Sequence, residues 1–392
     1  MRIGYVWDSY ALQRNIIGII KDVEYKKVFD IYKGLSYLAY IPKRLNMPKS
    51  EELFADVKFK YNDLNLNKVD LLHFFNNISY GNTPWISTFE TFLPRNSVLL
   101  NHQENGIIEN NKKIENALAA ISAPSCKKII ALSESTAQLE RSLLEHYPQY
   151  KKAVLKKMEV VHPPQPLFVE SFESKPVSIE DPIKFILVGS DFFRKGGLEV
   201  LLVFEELVNK KKLPFELTIV SSMGTGDYAS GAGKKELNKA LEIINKNKEW
   251  IHLYSNLPNQ QVIELMIQHH IGLLPTWADT YGYTVLELQA SGCPVITTDV
   301  RALPEINKES HGWLIRVPKN EYLEALYTIN EERLSLSNAI IDQLMRILVE
   351  IENNRSIIEE KSNKAIDYIR MHHSEENYAK KMKKIYIDAL NE

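Results

Sequence analysis

Cysteine is nearly absent from this sequence: among 392 residues only Cys126 and Cys293 occur. The two lie far apart in the chain, and neither belongs to a recognisable metal-ligand pattern. This usage argues against disulfides and against a zinc site, and it fits a reducing compartment. The strand expected at residues 3–6 leaves no room for a signal peptide. We therefore expect a cytoplasmic protein.

Strong net charge and long apolar runs are missing as well. The formal net charge of −2 gives no basic excess, so the composition carries no nucleic-acid-binding signature. No apolar run reaches the ~20 residues that a membrane-spanning helix requires. What remains is an ordinary globular composition, 44% hydrophobic and 25% charged, in a chain long enough for two domains.

Short apolar segments alternate with longer amphipathic ones, which is typical of an α/β fold with parallel sheets. The segment 162–166, His-Pro-Pro-Gln-Pro, cannot be helical and predicts an extended hinge between two domains. Residues 377–390 carry apolar side chains at helical spacing and predict a final helix. The predicted strands are 3–6, 71–75, 85–88, 129–132, 160–161, 184–188, 216–220, 251–254, 271–274 and 295–297.

The segment 271–315 is the most informative, because a short apolar strand is followed by Asp279 and Glu287 with Gly282 between them. Gly282 predicts a turn that lets the backbone approach a ligand, and residues 284–290 predict a helix. Unpaired amides at a helix N-terminus attract anions, phosphate above all. Glu287, about one turn into the helix, could accept hydrogen bonds from a ribose diol. The same pattern also fits an ordinary strand–turn–helix unit with a capping acid.

A second chemical segment follows the strand expected at 184–188. Arg194 and Lys195 precede two glycines and the helix expected at 198–207. Arginine presents a planar fork of donors and lysine a point charge, and both suit a diphosphate. Positive side chains oppose the helix dipole at this end, so local structure alone does not favour them. The alternative is a solvated basic start of a helix.

Two glycine-rich segments, 224–229 and 231–234, look like nucleotide-binding loops but lack the required context. After the first, the next helix is expected only near Lys234, and no acid ends a strand about twenty residues later. The second has Tyr228 where a P-loop needs glycine, and Lys235 where a serine or threonine would hold magnesium. The sequence therefore predicts neither a nicotinamide site nor a P-loop.

The order of these motifs resembles the donor-binding half of retaining glycosyltransferases of family 4, or group 1, which have the two-Rossmann-domain GT-B architecture. Asp279 stands where that family usually has Glu. Ser190 replaces a usual Arg, Lys195 is in register, and Arg194 offers a neighbouring positive charge. The family landmarks occur in order as Lys195-Gly196, Asp279, Tyr281-Gly282, Glu287, Gly292-Cys293-Pro294-Val295, Leu303-Pro304-Glu305-Ile306 and His311-Gly312-Trp313-Leu314-Ile315.

The resemblance implies two Rossmann-like doubly wound domains facing across a deep cleft, with a last helix that crosses back onto the first domain. We accordingly predict an N-terminal, acceptor-side domain of residues 1–165 plus 376–392. Residues 166–375 are predicted to form the C-terminal domain, which binds the nucleotide-sugar donor.

The resemblance also implies a reaction. A sugar would move from a nucleotide-diphosphate sugar, in its UDP or GDP form, to a glycan or lipid-linked acceptor in bacterial surface polysaccharide synthesis. The anomeric configuration would be retained by front-face attack, with the leaving phosphate helping to take the acceptor proton. No protein nucleophile, metal or other cofactor is expected. Two alternatives remain: a nucleotide-sugar epimerase of the same architecture, or a non-catalytic nucleotide-sugar-binding subunit.

Site residues are carried over from the resemblance position by position. Glu90 follows the strand at 85–88, where many relatives have a histidine facing the donor sugar; an ordinary exposed acid is the alternative. The catalytic candidates are Lys195, Arg194, Asp279, Glu287 and Glu90. The expected donor contacts are Gly189, Ser190, Arg194, Lys195, Asn256, Leu257, Asp279, Tyr281, Gly282, Tyr283, Thr284 and Glu287.

Three weaker features complete the sequence. Ser133 is interpreted as a helix cap. The adjacent pairs His269-His270 and His372-His373 lack metal-ligand spacing, and we expect solvated or capping histidines. A basic surface could rest on anionic lipid at the inner face of the membrane, although a solvated helix face is the alternative. Its residues are Lys21, Lys26, Lys27, Lys33, Lys43, Arg44, Lys151, Lys152, Lys156 and Lys157.

Overall fold

The computed structural model describes residues 1–6, 8–36, 54, 57–100, 103, 106–107 and 109–391. The chain forms two compact units, one of Met1–Pro164 with Glu375–Glu392 and one of Gln165–Ser374. Each of its two boundaries lies one residue before the boundary predicted from the sequence. Lys43 and Arg44 of the predicted basic surface lie outside the described residues.

The first unit is built on a parallel sheet. Its described strands are β1 (Arg2–Tyr5), β2 (Glu24–Lys27), β3 (Lys60–Tyr61), β4 (Leu71–Phe75), β5 (Ile78–Ser79), β6 (Trp85–Phe89), β7 (Cys126–Ala131) and β8 (Met158–Val160). Six of them follow the order β2-β1-β4-β6-β7-β8, and β3 pairs with β5 in a separate two-stranded sheet. β4 and β6 are buried along their whole length, as expected for apolar strands covered on both faces. Its helices include Tyr10–Asn15, Ser97–Leu100, Lys112–Ser122, Glu134–Glu145, Pro148–Lys157 and Glu375–Asn391.

The edge strand β2 was not predicted from the sequence. It pairs in parallel with β1, and three of its four residues are exposed. Its sequence, Glu-Tyr-Lys-Lys, has no apolar run, and charged side chains are what protects an exposed sheet edge. Hydrophobic periodicity therefore gave no signal for this strand.

The last helix, Glu375–Asn391, packs on the first unit as predicted. Its apolar face joins the core cluster that contains Ile3, Leu71 and Ile130. Leu390, expected on the same face, is 41% exposed instead, and Ala389 takes the buried position. The helix face buried in this cluster is formed by Tyr378, Met382, Ile385, Tyr386 and Ala389.

The second unit contains a complete doubly wound sheet. Its strands are β9 (Ile183–Val188), β10 (Phe215–Val220), β11 (Ile251–Tyr254), β12 (Ile271–Leu274), β13 (Val295–Thr298) and β14 (Gly312–Ile315), all parallel, in the order β11-β10-β9-β12-β13-β14. The chain moves outward from β9 to β11 and then returns to the other side of β9 to form β12. The strand order thus reverses between β9 and β12, and ligands of such sheets bind beyond the carboxyl ends of the strands at this point.

Helices cover this sheet. They are Gly197–Phe204, Lys234–Lys246, Asn259–Ile267, Tyr283–Ala290, Leu303–Ile306, Asn330–Asn353 and Ser356–His372, together with a short 3₁₀ turn at Phe172–Ser174. The helix expected at 198–207 ends earlier as an α-helix, at Phe204, and continues as a π-helix over Glu205–Lys210. The hydrophobic pattern continues through this change, which explains why the sequence did not reveal it.

The expectation of solvated or capping histidines was wrong for His270. His372 is exposed, His373 is the C-cap residue of the helix Ser356–His372, and His269 Nδ1 lies 2.5 Å from the Leu265 carbonyl oxygen in the last turn of the helix Asn259–Ile267. His269 and His270 follow the helix Asn259–Ile267, and both are buried, as is His373. His269 Nε2 lies 2.7 Å from Thr218 Oγ1, and His270 Nδ1 accepts a hydrogen bond from the Lys184 amide at 3.0 Å. Burial lowers the pKa of both His269 and His270 to about 4, so they remain neutral in the folded protein.

His73 is a further buried histidine, and it ties the last helix to the first sheet. It lies on β4, with Nδ1 2.7 Å from the Tyr386 hydroxyl and Nε2 2.8 Å from Thr88 Oγ1. Burial lowers the pKa of His73 to about 3. The neutral ring therefore links two strands and the final helix, with one hydrogen bond at each nitrogen.

We expect His73→Gln to destabilise the protein more at pH 7 than at pH 5. The folded His73 stays neutral down to about pH 3, whereas the unfolded side chain takes up a proton below about pH 6.5. Its stabilising contribution is therefore complete above pH ~6.5 and falls as the pH drops toward 3, by ~2 kcal/mol between pH 7 and pH 5. Urea unfolding at both pH values measures the difference.

His252→Gln is the matched control, because His252 is exposed on β11. Its effect on the free energy of unfolding should be small, because substitutions at exposed positions usually change stability by no more than about 0.5 kcal/mol. Equal destabilisation by His73→Gln at pH 7 and pH 5 would contradict a buried, neutral His73.

Candidate functional site

Two loops meet at the point where the strand order of the second unit reverses. One follows β9 and contains Gly189 and Gly196; the other follows β12 and begins at Pro275. Gly196 has φ +77°, and a Cβ there would lie 2.1 Å from the Pro275 carbonyl oxygen. Only glycine permits this approach, so the two loops lie in direct backbone contact at Gly196.

A buried ion pair joins the two predicted motifs at this place. Lys195 Nζ donates to Asp279 Oδ2 at 2.5 Å, and each side chain is only 12% exposed. Burial raises the pKa of Asp279, but the charges of Lys195 and Arg194 and the Lys195 hydrogen bond outweigh it and hold that pKa below its usual value. The structure thus brings together two residues whose motifs are 84 positions apart.

Arg194 also connects the two loops. Its guanidinium forms an ion pair with Asp191 and donates to the Ala278 carbonyl at 2.7 Å. Its carbonyl accepts from the Trp277 amide at 2.8 Å, and the guanidinium lies over the Tyr228 ring, 5.7 Å from the centroid. A solvated basic helix start would leave these groups in water, whereas Arg194 and Lys195 are both largely buried and paired.

The helix Tyr283–Ala290 begins beside the ion pair. Its N-cap is Gly282 in the left-handed region, φ +94°, where a Cβ would lie 2.5 Å from Leu303 Cδ2. Gly282 has no side chain with which to cap this N-terminus. Tyr283 and Thr284 are half-buried, and they follow Asp279 in the chain by four and five residues. Such a helix end favours an anion.

Glu287 lies one turn into this helix, as predicted, but the residue is only 8% exposed. The backbone carbonyl of Glu287 accepts a hydrogen bond from Ser291 Oγ at 2.8 Å. A ligand hydroxyl that reaches Glu287 must therefore enter among the surrounding side chains. Its contact with a ribose stays a prediction.

The remaining predicted donor contacts spread along the same sheet edge. Ser190 is exposed, and its carbonyl accepts from Ser221 and Ser222 hydroxyls at 3.2 and 2.9 Å. Asn256 is exposed and Leu257 half-buried, just after β11. β11 is two strands from β9, which places these residues about 10 Å away along the edge. That spacing suits a base at one end of a nucleotide whose diphosphate lies near Lys195.

Glu90 belongs to the first unit and follows β6 directly. Its carboxylate is paired with Arg95 and 17% exposed, so the alternative of an ordinary exposed acid does not describe it. Its amide donates to Asn76 Oδ1 at 3.2 Å. It therefore lies at the carboxyl edge of its own sheet, held by two neighbouring loops.

The Ser133 prediction is confirmed: its side chain caps the helix Glu134–Glu145 by accepting a hydrogen bond from the Thr136 amide.

Sequence reasoning missed three supporting residues: Asp191, Trp277 and Glu199. Glu199 lies in the first turn after Lys195 and is buried, where its Oε1 accepts from Ser337 Oγ at 2.7 Å. Burial raises the pKa of Glu199, although the Ser337 hydrogen bond opposes that rise. An acid in a helical first turn is common, so no signal in the sequence distinguished this one.

Within the parts of the chain that the structure describes, no cluster of three or more His, Cys, Asp or Glu side chains could hold a metal ion. No helix in those parts is long and apolar enough to cross a membrane.

The family comparison matches the unit that holds this site. Residues 169–343 match the family model described as glycosyl transferases group 1. No curated protein sequence matches the chain.

Solved structures share the fold over nearly the whole chain. A glycosyltransferase from Rickettsia africae is 16% identical at TM-score 0.58, with 99% of this chain and 98% of that chain covered. WaaG, a glycosyltransferase involved in lipopolysaccharide biosynthesis, is 15% identical at TM-score 0.54, covering 97% and 98%. HepE from Anabaena, solved with UDP and glucose, is 11% identical at TM-score 0.53, covering 98% and 90%.

Identities this low establish the fold alone, whereas the family model concerns the sequence of the second unit itself. Together they show the two-domain α/β fold of GT-B glycosyltransferase structures, in a chain whose residues 169–343 match the glycosyl transferases group 1 family model.

Proposed function

We propose that this protein is a retaining glycosyltransferase that uses a nucleotide-diphosphate sugar, in its UDP or GDP form, as donor. The observation that carries the proposal is the buried Lys195–Asp279 pair beside the N-terminus of the helix Tyr283–Ala290. A cation, a carboxylate and the amides of a helix N-terminus are the groups that a sugar diphosphate needs. They meet where doubly wound sheets bind ligands.

The ion pair suggests how the donor enters. Asp279 is the anionic partner of Lys195, and a diphosphate can replace it in that role. Exchange of one anion for another avoids leaving a buried positive charge alone, which would cost several kcal/mol. Asp279, released from Lys195, can then accept hydrogen bonds from sugar hydroxyls.

Catalysis in this proposal is electrostatic. Negative charge grows on the leaving diphosphate as the sugar–oxygen bond breaks, and Lys195 with the amides near Tyr283 and Thr284 stabilises it. Removing one such preorganised contact typically costs about a hundredfold or more in rate, roughly 3 kcal/mol. The acceptor attacks the same face that the diphosphate leaves, which retains the anomeric configuration. Neither a metal nor a protein nucleophile takes part.

We further propose that the acceptor is a glycan or a lipid-linked sugar in bacterial surface polysaccharide synthesis, at the inner face of the membrane. WaaG, a similar fold, is involved in lipopolysaccharide biosynthesis. HepE, another similar fold, was solved with UDP and glucose, which supports a UDP-sugar among the donors. Arg194, Glu287 and Glu90 complete the proposed machinery.

The proposed function is tested by a panel of UDP- and GDP-sugars. One of them should raise the melting temperature, since a ligand of the folded state stabilises it by mass action. With that donor and a mixture of glycan acceptors, we expect a product with the donor's anomeric configuration by NMR, and full activity in EDTA. Conversion of the donor without an acceptor would show an epimerase, and affinity without turnover a binding subunit. An inverted product would overturn retention.

Lys195→Ala should lower kcat/KM at least a hundredfold. It also leaves Asp279 buried without its partner, so we expect a loss of ~3–5 kcal/mol in the free energy of unfolding. The double variant Lys195→Ala with Asp279→Ala removes both charges, and it should recover much of the stability while activity stays lost. Turnover assays and urea unfolding of the same samples separate the two effects.

Lys211→Ala is the control for this series, because it removes an exposed lysine from the same unit. Its activity and stability should match those of the wild type. Recovery of activity in the double variant would show that Lys195 acts only by neutralising Asp279.

Asp279→Asn should reduce kcat more than it weakens binding of the free nucleoside diphosphate. The asparagine amide keeps the shape of the side chain but loses the negative charge that strengthens hydrogen bonds accepted from sugar hydroxyls. Asp279→Glu restores the residue usual in the family and should retain activity. Steady-state kinetics and calorimetric titration with the nucleoside diphosphate measure the two quantities.

Asp191→Asn makes the same chemical change in the neighbouring loop and serves as the matched control, with a smaller expected effect on kcat. If Asp279→Asn leaves turnover unchanged, Asp279 has no part in the reaction and only shapes the turn.

A further inference from the structure

The glycine-rich loop 224–233 lies between β10 and the helix Lys234–Lys246, and the proposed donor chemistry does not use it. Tyr228 lies near the middle of this loop and is 65% exposed. One exposed aromatic ring on a protein surface is ordinary by itself. The surroundings of Tyr228 distinguish it, because they hold the loop in place and put the ring beside Arg194.

Hydrogen bonds after Tyr228 fix the backbone that carries it. The Asp227 carboxylate accepts hydrogen bonds from the amides of Ala229 and Ser230 at 3.0 and 2.8 Å. The Ala229 carbonyl accepts a hydrogen bond from Arg333 Nε at 3.2 Å. A ring on a backbone held in this way loses little conformational entropy when a ligand contacts it.

The loop crosses from β10 to the other side of the candidate site. In the sheet order β11-β10-β9-β12-β13-β14, β9 separates β10 from β12. The Tyr228 ring nevertheless lies edge-on to Tyr327, with 6.3 Å between the centroids, and Tyr327 belongs to the segment after β14. The Arg194 guanidinium donates to the Ala278 carbonyl, after β12, and lies 5.7 Å from the Tyr228 ring centroid. Tyr228 therefore lies among groups from the β12 and β14 side of the sheet.

The hydroxyl of Tyr228 is within electrostatic reach of the charges of the site. Desolvation by the surrounding protein raises the pKa of Tyr228, the Arg194 charge lowers it, and the Asp279 carboxylate raises it. The net pKa is raised, so the hydroxyl keeps its proton at neutral pH and can donate a hydrogen bond. An exposed ring with a donor at its tip suits a sugar, which has C–H groups on its faces and hydroxyls around its rim.

The strand order determines which part of a donor Tyr228 can reach. With the diphosphate at Lys195, after β9, a base at Asn256 and Leu257 lies toward β11. The sugar is attached to the opposite end of the diphosphate, and it then lies toward β12, where Asp279 and Tyr228 are. A contact between Tyr228 and the base would require the donor to bind in the reverse direction.

We propose that Tyr228 contacts the transferred sugar of the donor and that loop 224–233 forms one wall of the sugar site. The inference rests on the proposed function, because it names the part of the nucleotide sugar that this loop recognises. Asp279 accepts hydrogen bonds from sugar hydroxyls, and the Tyr228 ring covers an apolar face of the same sugar. Tyr228 is then a specificity residue for the sugar and not for the nucleotide.

The test compares a donor with its own nucleoside diphosphate by calorimetric titration. The donor is whichever of UDP-glucose, UDP-galactose, UDP-N-acetylglucosamine and GDP-mannose raises the melting temperature of the wild type most. In Tyr228→Leu the Kd of this donor should rise at least about tenfold, whereas the Kd of UDP or GDP should change less than about twofold. Tyr228→Phe keeps the ring and should return the donor Kd to within about threefold of the wild-type value.

Leu334→Ala is the matched control, because it removes an exposed apolar side chain next to Arg333 in the same unit. It should leave both Kd values unchanged. Saturation-transfer NMR of the bound donor reads the contact itself. In Tyr228→Leu the signals of the sugar protons should weaken relative to those of the base protons, and in Leu334→Ala the ratio should stay at the wild-type value.

Equal weakening of donor and nucleoside diphosphate binding by Tyr228→Leu would show that the ring only supports Arg194, and it would overturn the inference. Unchanged Kd values with an unchanged ratio of sugar to base signals would overturn it too, while the proposed function would stand because the donor still binds. If none of the nucleotide sugars binds the wild type, the proposed function fails and the inference fails with it. The wild-type titration therefore separates the two failures.

Discussion

The contact between Lys195 and Asp279 is the constraint on which the candidate site depends. It joins the loop after β9 to the loop after β12, where the strand order reverses. Neither charge is stable alone at 12% exposure, and removing one partner of a buried pair typically costs about 3–5 kcal/mol. The two loops are therefore held at one geometry, and a ligand must offer an anion to Lys195 before it can separate them.

Glycine makes this contact possible. At Gly196 any side chain would collide with the Pro275 carbonyl, and at Gly282 with Leu303. Both residues also have positive φ and both precede a helix, so each loop turns directly from backbone contact into a helix N-terminus. The close approach of the backbones at Gly196 brings Lys195 within reach of Asp279, and the helix that starts after Gly282 follows Asp279 in the chain. Substitution at either glycine would disturb the ion pair and the helix start together.

The sequence predicted the parts of this arrangement better than their contacts. All ten strands predicted from apolar runs are present, because buried parallel strands need such runs. The sequence predicted both Asp279 and Lys195 as site residues, but each from its own motif. A contact between residues 84 positions apart leaves no local pattern in the sequence. β2 was missed because an exposed edge is charged. The burial of His270 was not predicted, because its partner, the Lys184 amide, comes from a strand 86 positions away.

Each cation of the candidate site already has an acid as its partner: Lys195 has Asp279, and Arg194 has Asp191. An anionic donor of the proposed kind would therefore bind by exchange, and its affinity would depend on how well it replaces the internal acid. Such an exchange would select for a ligand that can both pair with Lys195 and offer hydroxyl groups to Asp279.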